Sequence, residues 1–399
     1  MYLVAATLMS ACGDNAEPVL GASHDLVVVA HQDDDMLFIQ PDLYTIVSRQ
    51  QPVTIVYVTA GDAGQGIVTA TARKRAVQSA YATVAASAAA WTCDIVDIAK
   101  HAVERCRLGD RPITLVFLAY PDGGVTGELP NSLLQLWEGS IDQATTVADV
   151  PATYDRDGLV RTVASIIFQT RPEIIRTLEV AGTHGDDHSD HMIVGALTQL
   201  ALAATGSDAQ LLSYRGYNIN YESANVTETA FQQDSLFLRS YMACMTTCGE
   251  CGVTACPTVE DPRYYAFLHR RYVVSMRDAP LAGALRSSAG CIGVDGESVE
   301  LAACGPATPD IVLEDAGMLR LADQCLEVED DGSLGLGACE PEPRRFFQLD
   351  SEGHLWSGVA PEPAPDMLYD HSTCVYASAG TVEAGLCGEH RDWTWQVVP

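Results

Sequence analysis

Leu26, Val27, Val28, Val29 and Ala30 form an unbroken apolar run, followed at once by His31, Gln32, Asp33, Asp34 and Asp35. A short run without polar alternation is the pattern of a strand buried on both faces, as in a parallel sheet. Val53–Ala60 and Thr114–Tyr120 have the same character. Between the first two runs, residues 41–49 read as helix, and residues 71–91 are alanine-rich with high helix propensity. Residues 159–170 and 192–204 carry apolar side chains at helical spacing. Strand and helix patterns in alternation imply right-handed crossovers and an α/β, Rossmann-like layered sheet. In such sheets, sites form at the carboxyl ends of strands, which is where His31–Asp35 falls.

One imidazole and three carboxylates in five residues are costly to hold together unless a cation neutralises them. About 150 residues later, after a further expected strand, comes a second dense cluster: His184, Asp186, Asp187, His188, Asp190 and His191. Either cluster alone reads as a solvated loop or a helix cap. Two such clusters, each at the end of a buried-type strand, point to one shared site. Neutral imidazoles and carboxylates suit a borderline divalent metal such as zinc. Three protein ligands with one open position mark a catalytic rather than a structural centre. Neither cluster contains cysteine.

The motif Ala30-His31-Gln32-Asp33-Asp34-Asp35 resembles the AHPDD(E/D) signature of the PIG-L/LmbE-like zinc-dependent N-deacetylases, and His188-Ser189-Asp190-His191 resembles their HPDH. The loop Thr59–Gly64 matches as well, and the resemblance spans about residues 24–276. It implies a Zn2+ ion held by His31, Asp34 and His191, with Asp33 as general base. It further implies His188 as oxyanion partner and proton donor, and Asp190 as the residue orienting His188. The implied substrate is an N-acetylated sugar or glycan of GlcNAc type, and Arg73, Tyr214 and Arg215 are implied substrate contacts. Gln32 stands where the family has proline, Asp35 where glutamate is commoner, and Lys74 where an acid often follows the arginine. None of these departures touches the ligand set. Two rival functions are a glycan-binding protein with a catalytically silent α/β domain, and a zinc amidase or esterase for another substrate.

The chain has 399 residues, with 53 acidic and 23 basic side chains and a net charge of −30. A surface this anionic repels nucleic acid and anionic lipid. No run approaches the ~20 apolar residues of a transmembrane span. Residues 1–9 are mostly apolar, and Met9-Ser10-Ala11-Cys12 resembles a lipobox, so Cys12 is a lipidation candidate. With the thirteen cysteines, this suggests an exported protein, either a bacterial lipoprotein or secreted. Cys93 and Cys106 could close a hairpin. Cys244, Cys248, Cys251 and Cys256 could form local disulfides or a thiolate zinc site.

Composition sets four expected segments: a signal and linker at 1–23, the deacetylase-like domain at 24–278, a linker of small residues at 279–290, and a second domain at 291–399. The last repeats one pattern three times: cysteine, short strand, turn, strand, cysteine. The units run Cys291–Cys304, Cys325–Cys339 and Cys374–Cys387, each reading as a stapled hairpin. With Gln348 and Trp395 near the unit ends, this region resembles a smaller all-β, ricin-type β-trefoil-like domain. That resemblance implies a possible carbohydrate ligand.

Overall fold

A computed structural model of the chain describes residues 19–179, 187–221, 223–245, 262–275, 281–296, 298–306, 308–313, 318–339, 343–345, 347–349, 355–357, 373–378, 380–386 and 394–398. Cys12 and His184 lie outside them. Burial on both faces is what Val27, Val28 and Val29 require, and β1 (Asp25–Val29) obtains it by lying inside an eight-stranded sheet. The first five strands also include β2 (Val53–Thr59), β3 (Trp91–Ile98), β4 (His101–Leu108) and β5 (Ile113–Tyr120). A separate two-stranded hairpin, β6 (Ala144–Thr145) and β7 (Thr153–Tyr154), follows. The large sheet then gains β8 (Ile174–Leu178), β9 (Gln210–Tyr214) and β10 (Val273–Ser275). Its order is β10-β9-β8-β1-β2-β5-β4-β3. The pairings from β9 through β5 are parallel, and β10, β4 and β3 add antiparallel edges.

Successive side chains of β1 serve opposite cores, as the pleat dictates. Leu26, Val28 and Ala30 pack in one layer with Val163 and Ile167 of the helix Arg156–Thr170 and Val194 of the helix Ser189–Thr205. Val27 and Val29 pack in the other with Val77 of the helix Ile67–Val84 and Phe237 of the helix Glu228–Met245.

The alanine-rich helix stops at Val84 instead of continuing to residue 91. Trp91 opens β3, whose register with β4 sets Cys93 opposite Cys106, and the two are joined by a disulfide. Ladder hydrogen bonds and that cross-link outweigh a propensity advantage of tenths of a kcal/mol per residue.

The C-terminal region is all-β. Strands β11 (Leu281–Arg286), β12 (Cys291–Asp295), β13 (Ser298–Ala302), β14 (Ile311–Leu313), β15 (Leu319–Leu321), β16 (Gln324–Val328) and β17 (Leu334–Ala338) pair in a closed ring of seven. The strands β18 (Phe347–Leu349), β19 (Leu355–Ser357), β20 (Thr373–Ser378) and β21 (Thr381–Leu386) form a second sheet, and β22 (Gln396–Val398) lies along β11. The three expected hairpins are β12/β13, β16/β17 and β20/β21. Disulfides join Cys291 to Cys304 and Cys325 to Cys339. Cys374 is a buried free thiol among the described residues, and Cys387 lies outside them. The expected linker contains a strand: Leu285 of β11 is buried in this core, and its neighbours Ala282, Gly283 and Ala284 dilute the alternation that would have revealed it. Trp395 is buried at the centre, its indole N–H donating to the Val375 carbonyl at 2.8 Å.

Candidate active site

Four loops at the carboxyl edge of the parallel strands meet above β1, β2, β5 and β8. The first carries His31–Asp35, the second Gly61 and Asp62, the third Asp122 and Gly123, and the fourth Asp187–His191. His31, Asp34 and His191 are buried together, each with a ligand atom within 4.8 Å of the others. Asp34 is the hinge of the group. Its Oδ2 accepts the His31 backbone N–H at 2.6 Å, and its Oδ1 lies 3.0 Å from His191 Nε2 and 3.3 Å from His31 Nδ1. Burial alone would raise the Asp34 pKa, but the imidazoles of His191 and His31 outweigh it and hold the carboxyl well below its usual range.

Asp187 lies behind His191, with Oδ1 2.9 Å from His191 Nδ1. That pairing turns His191 Nε2 toward Asp34. Burial opposes a charge on His191, yet Asp34 and Asp187 prevail and push its pKa up to about 10. His31 is likewise raised, against burial, by Asp34 and Asp190.

His188 is the N-cap of the helix Ser189–Thr205, and its Nδ1 accepts the Asp190 backbone N–H at 3.1 Å. That fixes the ring proton on Nε2. Burial, then the neighbouring His31 and His191, depress its pKa to about 2, so His188 is a neutral imidazole. The Asp190 side chain was expected to orient His188. Its Oδ2 instead accepts the Gly123 N–H at 2.9 Å and lies 3.4 Å from His31 Nε2, and 4.0 Å from His188 Nδ1. The backbone of Asp190 holds His188, and its carboxylate backs His31.

Asp33 is half-buried and accepts from Arg73 Nη1 at 3.0 Å. Arg73, expected to touch substrate, is thus tied to the expected base. Asp35 turns away from the group: it accepts from the hydroxyls of Tyr57 at 2.7 Å and Tyr81 at 2.5 Å, and burial pushes it up to about 7. Tyr214 and Arg215 are both buried. The Tyr214 hydroxyl is engaged with Asp42 and Arg176, and Arg215 Nε donates to Asn218 Oδ1 at 3.0 Å. Cys244 is disulfide-bonded, which disfavours a thiolate zinc site; Cys248, Cys251 and Cys256 lie outside the described residues.

Asp122 escaped the sequence reading. It is buried 3.7 Å from His31 Nε2 and shares a second cluster with His31, His188 and Asp190. Its Oδ1 accepts the Gly124 N–H at 2.9 Å and its Oδ2 the Ala63 N–H at 3.2 Å. The available signal was Pro121-Asp122-Gly123-Gly124 at the end of a buried-type strand. Gly61 has φ +57, and a Cβ there would sit 2.3 Å from Gln32 Oε1, so only glycine lets the second loop close on the first.

The donor set fits a divalent cation. Asp34, Asp122, Asp187 and Asp190 are all buried beside His31, His188 and His191. His31 Nε2, Asp187 Oδ2 and Asp190 Oδ1 are buried without a hydrogen-bond partner among the described residues. Such a concentration of carboxylates needs positive charge beside it, which protonated His31 and His191 supply without a metal and a bound cation would supply in their place.

Residues 26–202 match a family model. It is the model of the PIG-L family, described as GlcNAc-PI de-N-acetylase. No curated protein matches the chain. Among solved structures, a deacetylase triple mutant from the teicoplanin biosynthetic pathway is 12% identical, covering 64% of this chain and 100% of its own, with a TM-score of 0.38. The 4-carboxy-2-hydroxymuconate hydratase of Pseudomonas putida is 11% identical over 62% of this chain and 83% of its own, with a TM-score of 0.36. The β-trefoil lectin of the Vibrio vulnificus hemolysin/cytolysin is 18% identical over 30% of this chain and 94% of its own, with a TM-score of 0.26. The matched residues contain all four loops of the site. No helix among the described residues is long and apolar enough to cross a membrane.

Proposed function

We propose that this protein is a metal-dependent hydrolase that removes the acetyl group from an N-acetylated amino sugar of GlcNAc type. The observation that carries the reading is the meeting of His31, Asp34 and His191 in one buried group, flanked by Asp33 and His188, within the residues that match the PIG-L model. His31, Asp34 and His191 would hold a divalent ion, with zinc the natural match, which when bound supplies Lewis acidity and lowers the pKa of water from ~15.7 to ~7.

The protein's own groups then divide the proton work. Asp33, anchored through Oδ1 to Arg73, takes the proton of the attacking water as a C–O bond forms at the acetamide carbonyl. His188 meets the developing oxyanion with its Nε2–H, whose position is set by the Asp190 amide on Nδ1. The leaving amine then receives that proton from Asp33. The C–N bond breaks, releasing acetate and a free amine.

The test is acetate release by the zinc-loaded protein from N-acetylglucosamine and its methyl β-glycoside, beside acetyl esters and unrelated amides. Release from the sugars supports the reading. A zinc-loaded protein that cleaves only esters or other amides refutes it in favour of a different hydrolase. The disulfides support an oxidising compartment as the place of action. The three hairpins support a carbohydrate ligand for the C-terminal region, which a glycan array with the full protein tests; uniform absence of binding would leave it a structural appendage.

A further inference from the structure

The segment that follows β9 closes a further side of the metal-binding group. Gly216 lies against Asp187, where a Cβ would stand 2.0 Å from Oδ2, and the Tyr217 N–H donates to Asp187 Oδ1 at 3.0 Å. The same oxygen is 2.9 Å from His191 Nδ1, so one carboxylate sets both the His191 ring and the Tyr217 backbone. Asn218 is buried beside them and donates through Nδ2 to Glu179 Oε1 at 2.9 Å. Held in this way, the Tyr217 ring packs on His191, with centroids 5.1 Å apart, and lies 6.5 Å from the ring of His188.

Two more rings stand behind it. Phe38 is 5.5 Å from Tyr217 and 5.6 Å from His191, and Phe267 is 5.7 Å from Tyr217 and 5.2 Å from Phe38. Phe38 and Phe267 are buried, whereas Tyr217 is partly exposed, so of the three it is Tyr217 that a ligand can reach. Rings in mutual contact at these distances leave one another little room to move. Burial, then Asp33, Asp34 and Asp187, keep the Tyr217 hydroxyl protonated, which places this one ring beside the expected base as well as the two histidines. Other flanks of the group are polar among the described residues: Asp33 with Arg73 on one, Asp122 and Asp190 behind His31 on another.

An acetamido group has one apolar part, its methyl, and its carbonyl carbon must come between the metal-binding trio and His188. The aromatic flank shared by His191 and His188 is the one whose chemistry matches that methyl. We infer that Tyr217 is a specificity-determining residue: its ring is the wall on which the acyl methyl packs, and with Phe38 and Phe267 behind it the wall cannot retreat, so acyl chains longer than acetyl run into it. The inference rests on the deacetylase reading above and adds to it the residue that sets acyl length.

The probes are acetohydroxamate and hexanohydroxamate, which carry an acyl chain on a zinc-chelating head and contain no sugar. Their binding to the full zinc-loaded chain is measured by calorimetry, and acyl release is followed separately with N-acetyl- and N-butyrylglucosamine. Acetohydroxamate is expected to bind at least tenfold tighter than hexanohydroxamate. Tenfold is about 1.4 kcal/mol, within the range for forcing methylenes into a packed site. Tyr217→Ala removes the wall and brings the ratio to within twofold of unity or reverses it; Tyr217→Leu, which keeps an apolar side chain on Phe38 and Phe267, moves it the same way if alanine fails to hold zinc. Tyr217→Phe keeps the ring and therefore keeps the ratio. Equal binding of the two hydroxamates by the parent, binding of neither, a ratio untouched by alanine and leucine, or a ratio lost in Tyr217→Phe overturns the inference. Acetate release with no length preference traceable to Tyr217 refutes the wall alone. Length preference that depends on Tyr217, with no acyl release from either sugar, refutes the deacetylase reading alone.

Discussion

Adding a single methyl group at Gly123 should weaken metal binding as well as the fold. Gly123 donates its N–H to Asp190 at 2.9 Å, and a Cβ there would stand 2.7 Å from Asp190 Oδ1 and 2.8 Å from Ser132 Cβ. Ordinary contact begins near 3.4 Å, so Gly123→Ala demands movements of about 3.4 − 2.7 = 0.7 Å or 3.4 − 2.8 = 0.6 Å. Ser132 cannot give easily: it caps the helix Leu133–Trp137 through Gln135 N, and its hydroxyl donates to the Gly127 carbonyl. Asp190 therefore moves, and with it the carboxylate 3.4 Å from His31 Nε2. Overpacking of this size costs about 1–3 kcal/mol. Loss of a carboxylate behind a metal-binding imidazole typically lowers affinity 10–100-fold, or about 1.4–2.8 kcal/mol. The assay is competition for zinc against a chromophoric chelator, with the thermal midpoint of the metal-free protein as control. Zinc affinity within twofold of the parent would refute the claim that Asp190 supports His31.

Asp33→Asn is expected to lower acetate release by about 10²–10⁴-fold while zinc content stays at one ion per chain; unchanged turnover would remove Asp33 as the base. Asp234 is buried with neither carboxylate oxygen partnered among the described residues, and burial, helped by Asp42, raises its pKa from 3.8 to about 7. The native state therefore holds that proton more tightly than the unfolded chain, and the associated stability is full below pH 4 and lost as pH rises to 7. At 1.36 kcal/mol per pKa unit the ceiling is about 4 kcal/mol, and solvent screening reduces it to roughly 2–3. Asp234→Asn should thus be neutral at pH 4 and stabilising at pH 8 in urea unfolding, and a pH-independent difference would refute it. Replacing Cys93 and Cys106 together by serine opens a loop of 13-residue separation and should cost about 3 kcal/mol, read as a lower urea midpoint. An unchanged midpoint would show that the edge hairpin holds without its cross-link.

Local patterns settle what a residue's immediate neighbours decide. The run Leu26–Ala30 identified a central parallel strand because burial on both faces removes polar alternation, and cysteine spacing identified two disulfides of the C-terminal hairpins because a hairpin brings its own ends together. The His31 and His188 clusters were legible for the same reason, since each is continuous in sequence. Asp122 became a site residue only through the strand order, which sets the ends of β5 and β8 on either side of β1 and β2. Burial of Tyr214 and Arg215, the pairing of Arg73 with Asp33, and the reach of Asp190 to His31 rather than His188 are likewise distances between remote segments. Sequence periodicity reports which face of an element is apolar; which other element covers that face, and which charge ends up beside which, is decided when the sheet is assembled.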